Sequence, residues 1–286
     1  MAKLLGGIEA GGTNFVCAVG DAEGNVLDKI TLPTRAPEET FQDVKEFFSQ
    51  HDIEALGVGG FGPIDLDEVS ATYGTILNTP KIKWQQVDLL GRLKQDMQVP
   101  IKLTTDVNAA ALGEYRFGAA RDVKSCLYIT VGTGIGGGFI HEGKPYTGKD
   151  HPEMGHILLS KHKKDTFAGS CPFHGDCLEG LASGTAIEAR YGKKGIELTD
   201  DPEVWEIEAY YLAQAVMNYL LILSPERIIL GGGVMKQPSL LPLIREKFIE
   251  LFQGYRDISD VEKLIVAPTL NGDQGILGAM ELVNEE

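Results

Sequence analysis

One plan occurs twice in this sequence, and the repetition limits what the chain can fold into. Residues 3 to 31, KLLGGIEAGGTNFVCAVGDAEGNVLDKIT, run as an apolar stretch, a glycine turn, a second apolar stretch, a DAEGN turn and a third apolar stretch. Turns this short between apolar runs predict a meander of three strands rather than a Rossmann βαβ unit. Residues 125 to 144, SCLYITVGTGIGGGFIHEGK, repeat the strand, glycine turn and strand. After each of these openings, strand-like and helix-like segments alternate. Two halves built this way predict duplicated α/β domains facing one another.

In the first half, PEETFQDVKEFFSQH (37–51) places Phe41, Val44, Phe47 and Phe48 at helical spacing behind acidic residues. ALGVGGFG reads as a short buried strand ending in the turn Gly62-Pro63. DLLGRLKQDM predicts a helix, PIKLTTD a strand, and VNAAALGEYRFG a helix entered just after Asp106. In the second half, PEVWEIEAYYLAQAVMNYLLILSP is one long helix stopped by Pro225. RIILGGGV is a strand with a triple-glycine exit, LLPLIREKFIELFQ a helix, EKLIVAP a strand and GDQGILGAMELVN a last helix. No low-complexity linker interrupts the chain, and the boundary is expected between Phe117 and Val123.

Composition removes several classes of function. A net charge of −15 argues against a nucleic-acid face, which needs clustered Lys and Arg. The densest basic run, KHKKD (161–165), reads as a solvated loop. The apolar stretch in MAKLLGGIEAGG is too short for a signal peptide or a membrane span, and no later run reaches membrane length. Four cysteines in 286 residues, without a secretory signal, predict reduced thiols in a cytoplasm. Cys17 and Cys126 lie in strand-like runs and read as inert core thiols.

The glycine turns carry the first functional signal. IEAGGTN sets Gly11 and Gly12 between two strands, with Thr13 adding a hydroxyl, and VGTGIGG does the same with Gly132, Thr133 and Gly134. Consecutive backbone N–H groups at such turns can converge on phosphate oxygens without any net positive charge. Either turn alone is a common hairpin; two at matching places, with GGGV at 231–234, point to phosphate. Neither is a P-loop, since no Gly-Lys-Ser/Thr follows. Glu9 is either a charged rim residue or a carboxylate suited to Mg²⁺, held directly or through water. Asp106, between strand and helix in LTTDVNAAALGE, is either an N-cap or a general base accepting a proton from a substrate hydroxyl. The second role, combined with phosphate turns, describes phosphoryl transfer.

Taken in order, IEAGGTNF, GGFGPID, ILNTPKI, TTDVNAAALGE, ITVGTGIGGG, PEMGH, the Cys/His cluster ending CLEGLASG, and IILGGGV resemble the ROK family of sugar kinases, most closely its bacterial fructokinase branch. The resemblance spans nearly the whole chain. It implies an actin-like, two-domain ATPase fold with the active site in the interdomain cleft. The domains would span about 1–118 and 119–272, with a metal loop at 151–180 and the last helix (273–286) packing back on the first domain. It implies ATP as donor with Mg²⁺, Asp106 as base, and a hexose acceptor phosphorylated at its primary 6-hydroxyl. Glu153 and His156 of PEMGH and Glu179 of CLEG carry over as sugar contacts, with Asn78 and Gly62 at the rim and Thr105 beside the base. Gly11, Gly12, Thr13, Gly132, Thr133 and Gly134 match the phosphate turns; Gly231, Gly232, Gly233, Ala189 and Gln237 fall on the adenosine side. Family glucokinases read Asn-Asp where this chain has Thr105-Asp106. Losing that amide from the sugar site disfavours glucose and favours a ketohexose or another hexose, with fructose ahead of mannose and glucose. A homodimer is also implied.

The family further implies structural zinc. Its usual cysteine run is altered here: Ser170 and Pro172 stand at two cysteine places, while Cys171, His174 and Cys177 offer three ligands and His156 a fourth. His151 and His162 are alternative fourth ligands, and a metal-free loop is the competing reading. Four protein ligands leave no open position, so the zinc would hold the loop bearing Glu153 and Glu179 rather than react. Its removal is expected to weaken sugar binding before nucleotide binding. Two other classes remain. A sugar-responsive repressor of the same family needs a helix-turn-helix before the first glycine turn, and Gly11 leaves no room for one. A chaperone-type ATPase has no use for PEMGH and CLEG.

Overall fold

The computed structural model describes residues 3–284. They divide into two compact units: 3–122 with Gly138–Pro152 and 269–284, and Val123–Gly137 with Glu153–Pro268. The chain changes unit after Asp122, and the segment 138–152 and the C-terminal stretch both return to the first unit.

The first unit opens with β1 (Leu5–Ala10), β2 (Asn14–Gly20) and β3 (Val26–Pro33), paired antiparallel as a meander. Helix α1 (Pro37–Phe48) follows, with proline in its first turn, Glu38 and Glu39 at its positive end and Phe41, Val44, Phe47 and Phe48 buried. Then come β4 (Ala55–Gly60), a two-stranded pair β5 (Thr75–Ile76) and β6 (Val87–Asp88), α2 (Leu89–Asp96), β7 (Ile101–Thr105) and α3 (Asp106–Arg116). The main sheet runs β3-β2-β1-β4-β7. Strands β1, β4 and β7 are parallel and in step: Ala10 pairs with Gly60, and Gly60 with Thr105. The Gly11 turn, Gly62 and Asp106 therefore leave the sheet from the same end.

The core of this unit gathers Ile8, Phe15, Val58 and Trp84 among others. Trp84 lies against Phe15, Phe41 and Phe61, with ring centroids 5.2, 5.6 and 5.9 Å away, and its indole N–H donates to the Arg35 carbonyl at 2.9 Å. That anchor fixes the segment 78–84. The last helix (Gln274–Leu282) packs against α3, β1 and β4 so closely that a Cβ on Gly57 would stand 1.7 Å from the Ala279 carbonyl oxygen. Buried Glu114 of α3 holds the approach to this helix, accepting N–H bonds from Thr269 at 3.0 Å and Leu270 at 3.3 Å, besides Ala119 at 2.7 Å.

The second sheet runs β10-β9-β8-β11-β12, from β8 (Ser125–Val131), β9 (Ile135–His141), β10 (Lys144–Pro145), β11 (Arg227–Gly231) and β12 (Ile265–Val266). Its helices are α4 (Leu178–Ala182), α5 (Gly184–Tyr191), α6 (Pro202–Leu223), α7 (Leu240–Phe252) and α8 (Val261–Leu264). Asp201 caps α6 through the Glu203 N–H, and Ser224 ends it at φ 49° before Pro225. The strand expected at EKLIVAP is reduced to Ile265–Val266, because Asp260 accepts from the Glu262 and Lys263 N–H groups and winds 261–264 into a helical turn. Cys17 and Cys126 are fully buried, and burial drives the Cys17 thiol well above its usual range. No helix among the described residues is long and apolar enough to cross a membrane.

Candidate active site

The first unit gathers one half of the expected residues at the end where β1, β4 and β7 stop. Gly11 and Gly12 form the turn between β1 and β2. It is fixed by Gly11 N–H donating to the Asn14 carbonyl at 3.0 Å and by Thr34, whose hydroxyl donates to the Gly11 carbonyl at 2.7 Å and whose N–H donates to that of Thr13 at 2.9 Å. A Cβ on Gly11 would stand 2.6 Å from the Asn14 oxygen, so the turn admits only glycine there. Thr13, Gly62 and Asn78 are exposed.

Asp106 is half-buried as the first residue of α3, its Oδ1 accepting from the Val107 N–H at 2.8 Å. The cap is Thr105, whose hydroxyl accepts from the Asn108 N–H at 3.2 Å. This corrects one expectation, since Asp106 is not the N-cap; Thr105 is only 4% exposed and its hydroxyl accepts the capping bond, which leaves its own proton to donate.

Glu9 faces the last helix: a Cβ on Gly275 would stand 2.4 Å from its Oε2. Burial, then the nearby charges of Asp106 and Asp273, push its carboxyl up to about 7. Asp273 is itself paired with Lys29 at 2.7 Å. Lys81 was not legible in the sequence; its stem passes 3.6 Å from where a Gly12 Cβ would sit. The only sequence signal was its place three residues after Asn78, in a segment whose position depends on Trp84.

The second unit holds the other half. His156, Cys171, His174 and Cys177 bring one ligand atom each to within 4.8 Å of one another. His156 Nδ1 lies 3.7 Å from Cys171 Sγ and 3.5 Å from Cys177 Sγ, and His174 Nδ1 lies 3.8 Å from Cys171 Sγ. A tetrahedral zinc with ordinary Zn–S and Zn–N lengths has S···N edges of about 3.6 Å, so the donor set fits that ion. Neither alternative histidine takes part. His151 lies 3.5 Å from the Asn108 amide through Nδ1, and burial lowers its imidazolium to about 4. The His162 backbone donates to the Tyr211 hydroxyl at 3.1 Å.

Glu153 precedes and His156 ends a single 3₁₀ turn, Met154–His156, pressed onto the start of β9. A Cβ on Gly155 would stand 2.0 Å from the Ile135 carbonyl oxygen. Partial burial raises the Glu153 carboxyl above its usual range; His156 opposes the shift and Glu179 adds to it. Glu179, in the first turn of α4, accepts the Ile135 N–H at 2.9 Å through Oε2.

Gly132, Thr133 and Gly134 form the turn from β8 to β9, closed by Gly132 N–H donating to the Gly134 carbonyl at 2.9 Å. Thr130 pairs with Gly231, so this turn and the exit of β11 leave their sheet from one end. Gly231 is buried against the Tyr128 ring, Gly232 has φ 95° and Gly233 is open. Ala189 is exposed on α5, and the Gln237 amide donates to the Thr199 carbonyl and Ser239 hydroxyl, both at 3.0 Å.

Each half thus carries a glycine turn at the end of its sheet, with Glu9 and Asp106 in the first and Glu153 and Glu179 in the second. The family model described as the ROK family matches residues 5–286. A Bacillus subtilis (strain 168) relative is 51% identical over 286 residues, covering 99% of this chain and 96% of its own. A fructokinase from Pediococcus pentosaceus is 44% identical, covering 98% of this chain and 97% of its own. Among solved structures, a ROK hexokinase from Thermus thermophilus superposes with a TM-score of 0.81 at 28% identity, covering 97% of each chain. A ROK glucokinase from Streptomyces griseus, in complex with glucose and AMPPNP, gives 0.77 at 28%, covering 99% of each. The fold is the actin-like ATPase fold of these kinases. With a match over nearly its whole length, and relatives this similar across it, this chain belongs to the ROK family.

Proposed function

We propose that the protein phosphorylates fructose from ATP, giving fructose 6-phosphate. The fructokinase relatives support the choice of sugar, and the observation that carries the mechanism is the row Ala10–Gly60–Thr105. That row sets Asp106 and the Gly11–Thr13 turn at one end of one sheet. Asp106 takes the proton from the sugar hydroxyl as its oxygen attacks the γ-phosphorus; the bond from that phosphorus to the bridging oxygen breaks and ADP leaves. The two glycine turns hold phosphate oxygens through backbone N–H groups, and Lys81 adds a positive charge beside the first. Glu153, His156 and Glu179 take sugar hydroxyls, with Asn78 and Gly62 at the rim. Gly231 to Gly233, Ala189 and Gln237 line the adenosine side.

Glu9 would hold Mg²⁺, directly or through water, and the bound ion would neutralise charge on the phosphates. His156, Cys171, His174 and Cys177 would hold a structural zinc, which when bound crosslinks the loop between β10 and α4. His156 turns Nδ1 toward the sulfurs, leaving Nε2 for a sugar hydroxyl. The test is ADP release with fructose, mannose, glucose or no sugar. Release that depends on fructose, with the highest kcat/KM for it, is expected; hydrolysis indifferent to sugar overturns the kinase reading.

A further inference from the structure

We propose that Glu179 and Thr185 are positioning residues for the nucleotide: they fix the second glycine turn so that its N–H groups face the phosphates. The proposal rests on the reading of Gly132–Gly134 as a phosphate turn. Three contacts reach this turn from one short segment, α4 and the start of α5. Glu179 Oε2 accepts the Ile135 N–H at 2.9 Å, the Gly184 N–H donates to the Gly132 carbonyl at 2.7 Å, and the Thr185 hydroxyl donates to the Thr133 carbonyl at 2.8 Å.

Their effect follows from peptide geometry. In a planar trans peptide the C=O and the next N–H point in opposite directions. With the Gly132 and Thr133 carbonyls drawn toward α5, the N–H groups of Thr133 and Gly134 are turned away from it. Neither of these N–H groups makes a hydrogen bond among the described residues. Two adjacent donors, held on one side and left unspent, make an anion-binding concavity. A glycine-rich turn would otherwise sample many conformations, and fixing it beforehand removes that ordering cost from nucleotide binding.

Glu179 is poorly suited to touch a triphosphate, since a carboxylate repels it. Behind the turn the same carboxylate has a use, as acceptor for the N–H that starts β9. It also explains the residue at 134, where a Cβ would stand 2.5 Å from Glu179 Oε2. Because Cys177 is the residue at which α4 begins and Glu179 lies in its first turn, the metal loop reaches the nucleotide turn as well as the sugar side. Loss of metal should therefore weaken nucleotide binding too, not sugar binding alone.

The experiment is calorimetric titration of ADP and AMPPNP into the zinc-loaded protein without sugar, followed by fructose in a separate titration. Thr185→Val keeps the shape of an exposed side chain and removes one hydrogen bond; it should raise the nucleotide Kd roughly three- to tenfold and leave the fructose Kd unchanged. Glu179→Ala should raise the nucleotide Kd at least as much, and Glu179→Gln, which keeps an acceptor oxygen, should recover part of it. A nucleotide Kd equal to wild type in Thr185→Val and in both folded Glu179 variants overturns the proposal. A wild-type protein that binds fructose but no nucleotide overturns instead the phosphate reading beneath it.

Discussion

Asp106 and Glu9 are both acids at the end of the first sheet, yet their surroundings give them different work. Asp106 is half-buried at the start of α3, the position proposed for the general base. Asp106→Asn is expected to lower kcat on the order of 10²- to 10⁴-fold while the fructose KM changes little; steady-state kinetics check this, and activity near wild type removes Asp106 as base. Glu9 is pressed by protein and by two like charges, and its carboxyl stands at about 7 against 4.5 for the free side chain. Between those values the folded state binds more protons than the unfolded one, so Glu9 stabilises the fold relative to its ionised form below about 4.5 and loses that advantage as pH rises through about 7. The nucleotide-free protein should lose no more than about 3 kcal/mol by this route. Melting temperatures at pH 5 and pH 8 check it: the drop should shrink in Glu9→Gln, and an unchanged drop would show that Glu9 is not its source. Asp106 could be singled out in the sequence because a strand runs straight into a helix there. Lys81 could not, since only the packing of Trp84 carries it to Gly12.

At the scale of elements, the segment from Glu153 to α5 joins three tasks through short links. The four side chains that could hold a metal lie between His156 and Cys177, Glu153 and His156 adjoin one turn, and Glu179 and Thr185 reach the second glycine turn. One zinc per chain by elemental analysis is expected. Its removal by a strong chelator, or Cys177→Ser, should lower the melting temperature and raise the Kd for both fructose and ADP. Unchanged affinities in a verified zinc-free protein would detach the loop from both sites. The contact between α3 and the last helix is equally exact in its demands: a Cβ on Gly278 would stand 1.7 Å from the Ala109 carbonyl oxygen. Gly278→Ala should cost about 3 kcal/mol in chemical denaturation, near the upper end for overpacking. A loss below 0.5 kcal/mol, the ordinary range for a surface change, would mean the helices separate at little cost.

At the scale of the whole molecule, the two sheets repeat one strand order, β3-β2-β1-β4-β7 and β10-β9-β8-β11-β12, each opened by the strand, glycine turn and strand that the sequence shows twice. The first unit is discontinuous, and Glu114 secures its last piece by accepting from Thr269, 155 residues away. Glu114→Ala should destabilise by roughly 3 kcal/mol and speed amide exchange at Thr269 and Leu270, and protection equal to wild type there would show the carboxylate is dispensable. The sequence by itself determined most of the strands, the long helices, both glycine turns and the Cys171, His174 and Cys177 part of the metal set, because periodicity, turn chemistry and ligand spacing are written in neighbouring residues; His156 came through the family resemblance. Tertiary structure alone decided the proton affinity of Glu9, the place of Lys81, the service of Glu179 to the turn behind it and the hold of Glu114 on the approach to the last helix. Desolvation and long-range hydrogen bonds depend on what distant parts of the chain bring alongside a residue, and no local pattern records that.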